Sequence, residues 1–267
     1  MKLEMIYSTL DERIYNIKNN LPSPHENIVL LIIHQISNNG KNRINTEDIG
    51  NIFLRKDIRY IPIFSTGVTK NRNVGIENAI GDILLFCDDD VKYHHDIYNI
   101  ITSEYNNNNI DFATFSYSYD DNDKTPAPKF KSYSYRHNYK SILSVGTIEI
   151  TCRREKLISN NISFPEDMGA GTELFICDEP VFLSKLLKNK LIGIYSPKLI
   201  GSHPRLSSGS IFNNKNAFLS RLLCFTRIFG NTLGRIMYLI FLIKNVKSLH
   251  TYANFKNAVS ILFHKFN

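Results

Sequence analysis

The chain has 267 residues, 43% hydrophobic and 12% aromatic, a composition that supports a large core and excludes a disordered chain. Its formal net charge of +7 is segregated: residues 1–179 hold 19 Lys/Arg and 25 Asp/Glu, a net of −6, whereas residues 180–267 hold thirteen Lys/Arg and no acid. Four scattered cysteines (Cys87, Cys152, Cys177, Cys224) with no C-x-x-C pair point to neither a disulfide framework nor a zinc site, which fits a reducing setting.

Leu3–Ser8 reads as a first strand rather than the apolar core of a signal peptide. Thr9 or Asp11 stands where it could cap a following helix carrying Ile14 and Ile17. Ile28–His34 is a continuous apolar run of the buried-strand kind, and Ile58–Phe64 is a further strand beyond a polar stretch. Residues 69–80, TKNRNVGIENAI, have helical spacing, with Val74, Ile76, Ala79 and Ile80 near one face and Gly81 as the stop. Ile83–Cys87 then reads as a buried parallel-type strand that runs into three adjacent acids, Asp88, Asp89 and Asp90. A helix over 93–105, an exposed connection over 106–109 and a strand over 110–116 follow. This alternation predicts an α/β layered fold with a mostly parallel sheet.

Residues 117–139, YSYDDNDKTPAPKFKSYSYRHNY, lack periodicity and read as a substrate-side loop. Order returns over 145–152, followed by Arg153-Arg154-Glu155 and a glycine-containing segment. A helix opens near Glu179-Pro180, with Val181, Leu183, Leu186 and Leu187 as its apolar face. Ile192–Tyr195 is a short strand that leads to His203-Pro204.

Three neighbouring carboxylates repel unless a cation or hydrogen-bond donors neutralise them, and ligands of open α/β sheets bind at the carboxyl ends of strands. Two readings of Asp88–Asp90 stay open on the residues alone. One is a divalent-metal site gripping a diphosphate, with hard oxygen ligands suited to Mn2+ or Mg2+. The other is a solvated acidic turn.

In this order the pieces resemble the family 2 glycosyltransferases, which have the GT-A fold. The matching stretches are YSTLDER, KNRNVGIENAIGDILLFCDDD, TCRRE, GAGTELFICDEPVFL and GSHP, over roughly residues 3–205. The most specific is R-N-x-G-x-x-x-A-x-G-D followed by an apolar run into D-x-D. The resemblance implies a Rossmann-like central sheet flanked by helices. A nucleotide-sugar-binding half would span 1–105, an acceptor-binding catalytic half 106–205 and a basic helical extension 206–267.

The resemblance also implies roles. Asp88 and Asp90 are the ends of the D-x-D motif, Asp90 being the direct metal ligand, and His203 approaches the metal or diphosphate. Thr9, Arg13, Arg72 and Asn73, with Asp88 and Asp89, border the donor. Where the family carries an acid after the second strand, this chain has Ile33-His34-Gln35-Ile36, and Gln35 can hydrogen-bond a uracil edge. The catalytic base comes from Asp178-Glu179. The family order there is Glu-Asp and this chain has Asp-Glu, so both acids are candidates, Glu179 holding the base's place and Glu173 the alternative in another register. By residue type alone the pair also fits helix N-terminal acids favoured by the dipole. Glu149, Glu166 and Asp167 are further acids in the second half.

The activity so implied is a metal-dependent, inverting transfer of a hexose from a UDP-sugar to a sugar on undecaprenyl diphosphate, in O-antigen or capsule assembly. The expected sugar is galactose or glucose in β-1,3 linkage, and the expected place is the cytoplasmic face of the bacterial inner membrane. A nucleotidyltransferase is one rival, but it wants a glycine-rich loop and YSTLDER has no glycine. A non-catalytic membrane-bound adaptor of the same fold is the other.

Residues 216–244 are very apolar yet interrupted by Arg221, Arg227 and Arg235. Their longest charge-free run, Ile236–Ile243, is eight residues, against about 20 for a bilayer span. Gly230 and Gly234 are expected to divide the stretch into two peripheral helices lying in the membrane interface, basic residues near lipid headgroups. A core helical pair or a homodimer face are the alternatives. Nucleic acid explains the charge less well, since no recognition motif accompanies it.

Overall fold

Apolar runs without alternation bury both faces of a strand, and they need helices on each side. In the computed structural model, which describes residues 1–41, 43–122, 125–204, 211–249, 251–264 and 266, this layering is built in chain order. Strand β1 (Leu3–Leu10) leads through a 3-10 turn to α1 (Ile14–Asn20), β2 (Ile28–Gln35), α2 (Thr46–Ile52), β3 (Ile58–Ile63), α3 (Val68–Asn78) and β4 (Ile83–Asp88). These four strands pair in parallel in the order β3-β2-β1-β4. The second half adds β5 (Lys92–Tyr93), α4 (Ile97–Asn107), β6 (Phe112–Ser118), β7 (Tyr135–Arg136), β8 (Ile150–Arg153), α5 (Arg154–Ser159), α6 (Asp178–Lys188) and β9 (Gly193–Ser202). Here β8 runs antiparallel to both β4 and β6, while β6 and β9 are parallel, so the parallel sheet becomes mixed.

Side-chain alternation along the central strands divides the core into two layers. Met5, Tyr7, Leu30, Ile32 and Leu85 face α1 and α4 through Ile14, Ile17, Ile97 and Ile101. Ile6, Leu31, Ile33, Leu84 and Phe86 face α3, α5 and α6 through Ile76, Leu157 and Phe182. Helix α3 lies hard against β1 because residue 75 is glycine: a Cβ there would stand 2.4 Å from Ile6 Cγ2. That closeness aims the side chains of α3 over the ends of β1 and β4.

Several expected boundaries shift for local reasons. The helix expected from 93 starts at Ile97, because Lys92 and Tyr93 pair with Ser202 and Gly201 as strand β5. The order expected over 145–152 consists of a 3-10 turn over Thr147–Glu149 and the start of β8. Helix α2 fills the polar stretch before β3, with the Asn45 side chain accepting from the Glu47 N–H as its cap. Neither Thr9 nor Asp11 caps α1: Asp11, at φ 47°, accepts from the Ser37 N–H and hydroxyl instead. Residues 123–124 of the tyrosine-rich loop and 206–210 at the head of the C-terminal extension lie outside the described residues.

The extension contains α7 (Lys215–Phe229), α8 (Asn231–Lys244) and α9 (Tyr252–Ile261). They share a small core of Phe218, Leu222, Phe225, Tyr238, Leu242 and Ile261. Helix α7 also packs Leu223, Cys224 and Ile228 on Met168 and Val181, which ties it to α6. It is therefore a core helix and not one of two interfacial ones. Gly230, at φ 82°, separates α7 from α8. Gly234 divides nothing: it lies within α8, where a Cβ would come 2.5 Å from Thr226 Cα, and its absence lets the two helices touch. Among the described residues no helix is long and apolar enough to cross a membrane.

Candidate active site

The strand order turns at β1, whose neighbours are β2 and β4, and the crevice at such a switch point lies beyond the carboxyl ends of the strands. Ser8 of β1 pairs with Asp88 of β4 there, so the acidic triplet opens straight into it.

The three acids part company. Asp89 is buried and turned back under β1, accepting from the Thr9 hydroxyl at 2.8 Å and from Arg13 Nε at 3.0 Å to each oxygen, with Arg13 Nη2 also on Oδ1. Burial pushes its carboxyl up, against the pull of Arg13 and Thr9. Asp88 leans to Arg72 Nη2 at 3.3 Å. Asp90 stands between Arg13 Nη2 and His203 Nε2, each 3.6 Å away. Asp90 Oδ1 is buried with no hydrogen-bond partner, as is His203 Nδ1. Arg13, shared by Asp89 and Asp90, and Arg72 beside Asp88 offset the repulsion that three adjacent carboxylates would suffer.

Arg72 is the hub. Its guanidinium, with the side chain 5% exposed, donates from Nη1 to Asp178 Oδ2 at 2.8 Å while Nη2 holds Asp88. The ring of Phe164 lies 5.4 Å from its central carbon. One buried cation on α3 thus joins the end of β4 to the start of α6, the latter contact spanning 106 residues of sequence between Arg72 and Asp178. Burial and the adjacent Glu179 carboxylate push Asp178 up while Arg72 pulls it down; at 2.8 Å the contact is that of an ion pair.

Asp178 and Glu179 are consecutive but point to different places. Cys177 before them is in the left-handed region at φ 70°, and Gly169, at φ 95°, passes so close that a Cβ there would be 3.0 Å from Asp178 Cγ. The chain therefore enters α6 with Asp178 driven inward onto Arg72. Both acids border the cavity, but Glu179 accepts the Thr147 hydroxyl at 2.6 Å where Asp178 accepts from Arg72. Glu173 is exposed and is not part of the cavity lining.

The cavity is about 610 Å³. The strand ends and α3 contribute Arg13, Arg72, Asp88 and Asp90, and His203 follows β9. The loop expected on the substrate side contributes Tyr117 and Lys129. Lys129 is ion-paired to the buried Glu149, which also accepts the Gly146 N–H at 2.9 Å. Burial pushes the Glu149 carboxyl up to about 7, with Lys129 acting against it. The C-terminal helices add Arg221, Phe225 and Phe241, the Arg221 guanidinium lying 5.4 Å from the Phe241 ring.

Of the residues expected at the donor, Arg13, Arg72 and Asp88 line the cavity; Thr9, Gln35, Asn73 and Asp89 stand behind it. Gln35 Nε2 donates to Ser65 Oγ at 3.0 Å and to the Gly67 carbonyl at 2.9 Å. Asn73 Nδ2 donates to the Phe164 carbonyl and to Glu166, and Asn73 Oδ1 accepts the Phe164 N–H. Both amides fasten loops that form the walls. Sequence reasoning passed over Lys129, Thr147 and the place of Arg221; the nearest signal was that Lys129 falls in the expected substrate loop.

The expected metal ligands Asp88, Asp90 and His203 line one cavity, yet no ready-made cluster of three or more His, Cys, Asp or Glu occurs among the described residues. Asp88 is drawn off by Arg72. What the residues fit is a site with few protein ligands, built on the partnerless Asp90 oxygen and completed by substrate oxygens and water, the manner in which Mg2+ is held beside phosphates.

The glycosyl transferase family 2 model matches residues 4–159. Among solved structures, S. aureus TarS 1-349 superposes with a TM-score of 0.68 at 16% identity, over 98% of this chain and 80% of that one. The same protein in complex with UDP-GlcNAc gives 0.69 at 15% identity, over 98% and 79%. The mannosyltransferase PcManGT from Pyrobaculum calidifontis, in complex with GDP-Man and Mn2+, gives 0.58 at 11% identity, over 97% and 73%. At these identities the likeness is one of fold, the GT-A arrangement of a central sheet flanked by helices. Among curated proteins, none matches the sequence.

Proposed function

The chain belongs to glycosyl transferase family 2, and on that footing we propose that it moves a hexose from a UDP-sugar to a hydroxyl of a sugar carried on undecaprenyl diphosphate, with inversion and with Mn2+ or Mg2+ as cofactor. The observation that carries this reading is the different partnering of the acid pair in the cavity they share with Asp88, Asp90 and Arg13: Asp178 is committed to the Arg72 cation, and Glu179 is held by the neutral Thr147 hydroxyl.

In the proposed reaction Glu179 accepts the proton of the acceptor hydroxyl, whose oxygen attacks the anomeric carbon opposite the diphosphate. The glycosidic C–O bond breaks and its electron pair goes to the departing diphosphate. Arg13 and Arg72 stand where negative charge then grows, each already next to a carboxylate it can share with the ligand. Asp90, Asp88 and His203 would hold the divalent cation, which when bound supplies Lewis-acid stabilisation of the leaving diphosphate. Thr147 fixes the Glu179 carboxylate by its hydroxyl, and the Arg72 ion pair fixes the start of α6.

UDP is chosen as the carrier because TarS is solved with UDP-GlcNAc and with UDP, and the metal because PcManGT is solved with Mn2+. The specific transfer proposed is of galactose or glucose in β-1,3 linkage to an N-acetylhexosamine, within O-antigen or capsule assembly at the inner face of the membrane. The test is a panel of nucleotide sugars with a synthetic diphosphate-lipid acceptor, with and without Mn2+, read by mass spectrometry. Nucleoside diphosphate formed in step with glycosylated lipid supports the reading. Pyrophosphate as product would make the protein a nucleotidyltransferase, and no product from any donor would leave an adaptor.

A further inference from the structure

Eight of the seventeen exposed large apolar side chains among the described residues fall between 233 and 263, while the other nine are scattered over residues 1–158. Four of the eight, Leu233, Ile236, Ile240 and Ile243, recur at the spacing of one helical stripe along α8, exposed by 50%, 50%, 39% and 66%. The opposite side of the helix, Gly234, Tyr238 and Leu242, is buried in the C-terminal core. A soluble helix normally offers water a polar face. Here the face turned away from the core is as apolar as the one turned toward it.

Charge decides what covers this face. Exposed Lys244, Lys247 and Lys256 each directly follow an exposed apolar residue: Ile243, Val246 and Phe255. No acid occurs from residue 180 onward. A second copy packed face to face would bring these lysines against one another, and a nucleic acid would leave the apolar stripe in water. A bilayer with anionic headgroups accepts both at once, acyl chains against the stripe and phosphates against the lysines. An open groove of about 960 Å³ on the same surface, lined by Ile236, Leu239 and Phe263 with Arg235, widens the apolar area beside the stripe.

We propose that the outward face of α8, with Val246, Phe255 and Phe263 beside it, rests in the headgroup–acyl boundary of an anionic bilayer, and that the acceptor enters the cavity past the edge of α8 that carries Phe241. The second clause rests on the lipid-linked acceptor assigned above. Phe241 lines the same cavity as Glu179, and its neighbour Ile240 is on the outward stripe, so one helix borders both the membrane and the reacting centre. At 14 residues α8 is about 21 Å long, and it lies on the bilayer instead of crossing it.

The experiment uses the full chain and vesicles of phosphatidylcholine alone or mixed equally with phosphatidylglycerol, read by flotation, with transfer measured in parallel on a long-chain lipid acceptor and on a short water-soluble one. Wild type should float with the anionic vesicles and progressively less as salt is raised. The variant I240Q/I243Q, altered only at exposed positions, should bind at least about tenfold more weakly, as should K244Q/K247Q. Both variants should lose transfer to the long-chain acceptor and keep transfer to the short one within about twofold. Wild type that fails to float, or variants that float like wild type, would overturn the docking face. A wild-type dimer that I240Q/I243Q converts to monomer would assign the face to a second copy. Flotation as expected with no transfer to either acceptor would leave the docking standing and remove the acceptor assignment.

Discussion

The strand ends of the central sheet and the C-terminal helices handle charge in opposite ways. At the strand ends each acid of the triplet lies within 3.6 Å of an arginine or histidine nitrogen, and Arg13 and Arg72 each serve two carboxylates. Such a network can exchange partners with an arriving diphosphate and cation at little cost in unpaired charge, which is the use a donor site has for it. In residues 180–267 there is no carboxylate at all, and Arg227 finds Asp167 outside the segment. Arg221 is buried there, while Lys244, Lys247 and Lys256 are turned to the outside. On the reading proposed above, the first region serves a ligand that enters the protein and the second a surface the protein approaches.

The most severe way to break the first region is Asp90→Ala. It removes a buried carboxylate oxygen at the cavity that has no hydrogen-bond partner among the described residues, and turnover should fall on the order of 10⁴-fold with folding intact. Wild-type turnover measured against added Mn2+, and the same titration in the variant, check this. Turnover close to wild type in the variant would remove Asp90 from the metal site.

A second change tests whether the paired charges of the cavity matter for stability. Lys129→Met leaves Glu149 buried without its ammonium. Loss of a buried partner costs roughly 3 kcal/mol when the remaining charge must stay ionised. Glu149 already has its affinity for a proton raised to about 7. In the folded variant it holds that proton at pH values where the unfolded chain has released it. Folded-state proton binding then exceeds unfolded-state binding above the ordinary glutamate range, so stability falls as pH rises. The destabilisation should be small near pH 5 and largest near pH 8, read by denaturant titration at each pH.

The smallest effect is expected in the second region. Gly234→Ala places a Cβ against the Thr226 backbone in a contact of 2.5 Å and should cost about 1–3 kcal/mol. The loss should appear as early exchange of α7 and α8 amides in hydrogen–deuterium exchange, with β1 and β4 unchanged. Equal loosening of the sheet would mean that the C-terminal core and the catalytic half unfold as one unit.

These contrasts also mark what could be read from the chain alone. The strand running into Asp88 and the helix carrying Arg72 were legible because burial on two faces and helical periodicity leave direct patterns in residue type. The segregated charge was legible because it is a count. Local spacing did not show that Arg72 reaches Asp178, since 106 residues separate them and the contact depends on how close α3 comes to β1 through Gly75. Asn73 and Gln35 have the right chemistry for a nucleotide, but that same chemistry binds loop carbonyls, and nothing in the residue type distinguishes the two uses. Helix α7 misled for a related reason: arginines within an apolar stretch look the same whether they face headgroups or, as Arg221 does, carbonyls and aromatic rings.

The central claim is that two consecutive acids hold different offices, Asp178 as the anchor of Arg72 and Glu179 as the proton acceptor. Donor affinity and single-turnover transfer, measured side by side in Glu179→Gln and Asp178→Asn, test it most directly. Glu179→Gln should bind the nucleotide sugar as wild type does while transfer drops about 10²- to 10⁴-fold. Asp178→Asn should weaken donor binding by releasing Arg72 yet retain measurable transfer at saturating donor. Full donor affinity with abolished transfer in Asp178→Asn, together with an active Glu179→Gln, would contradict it.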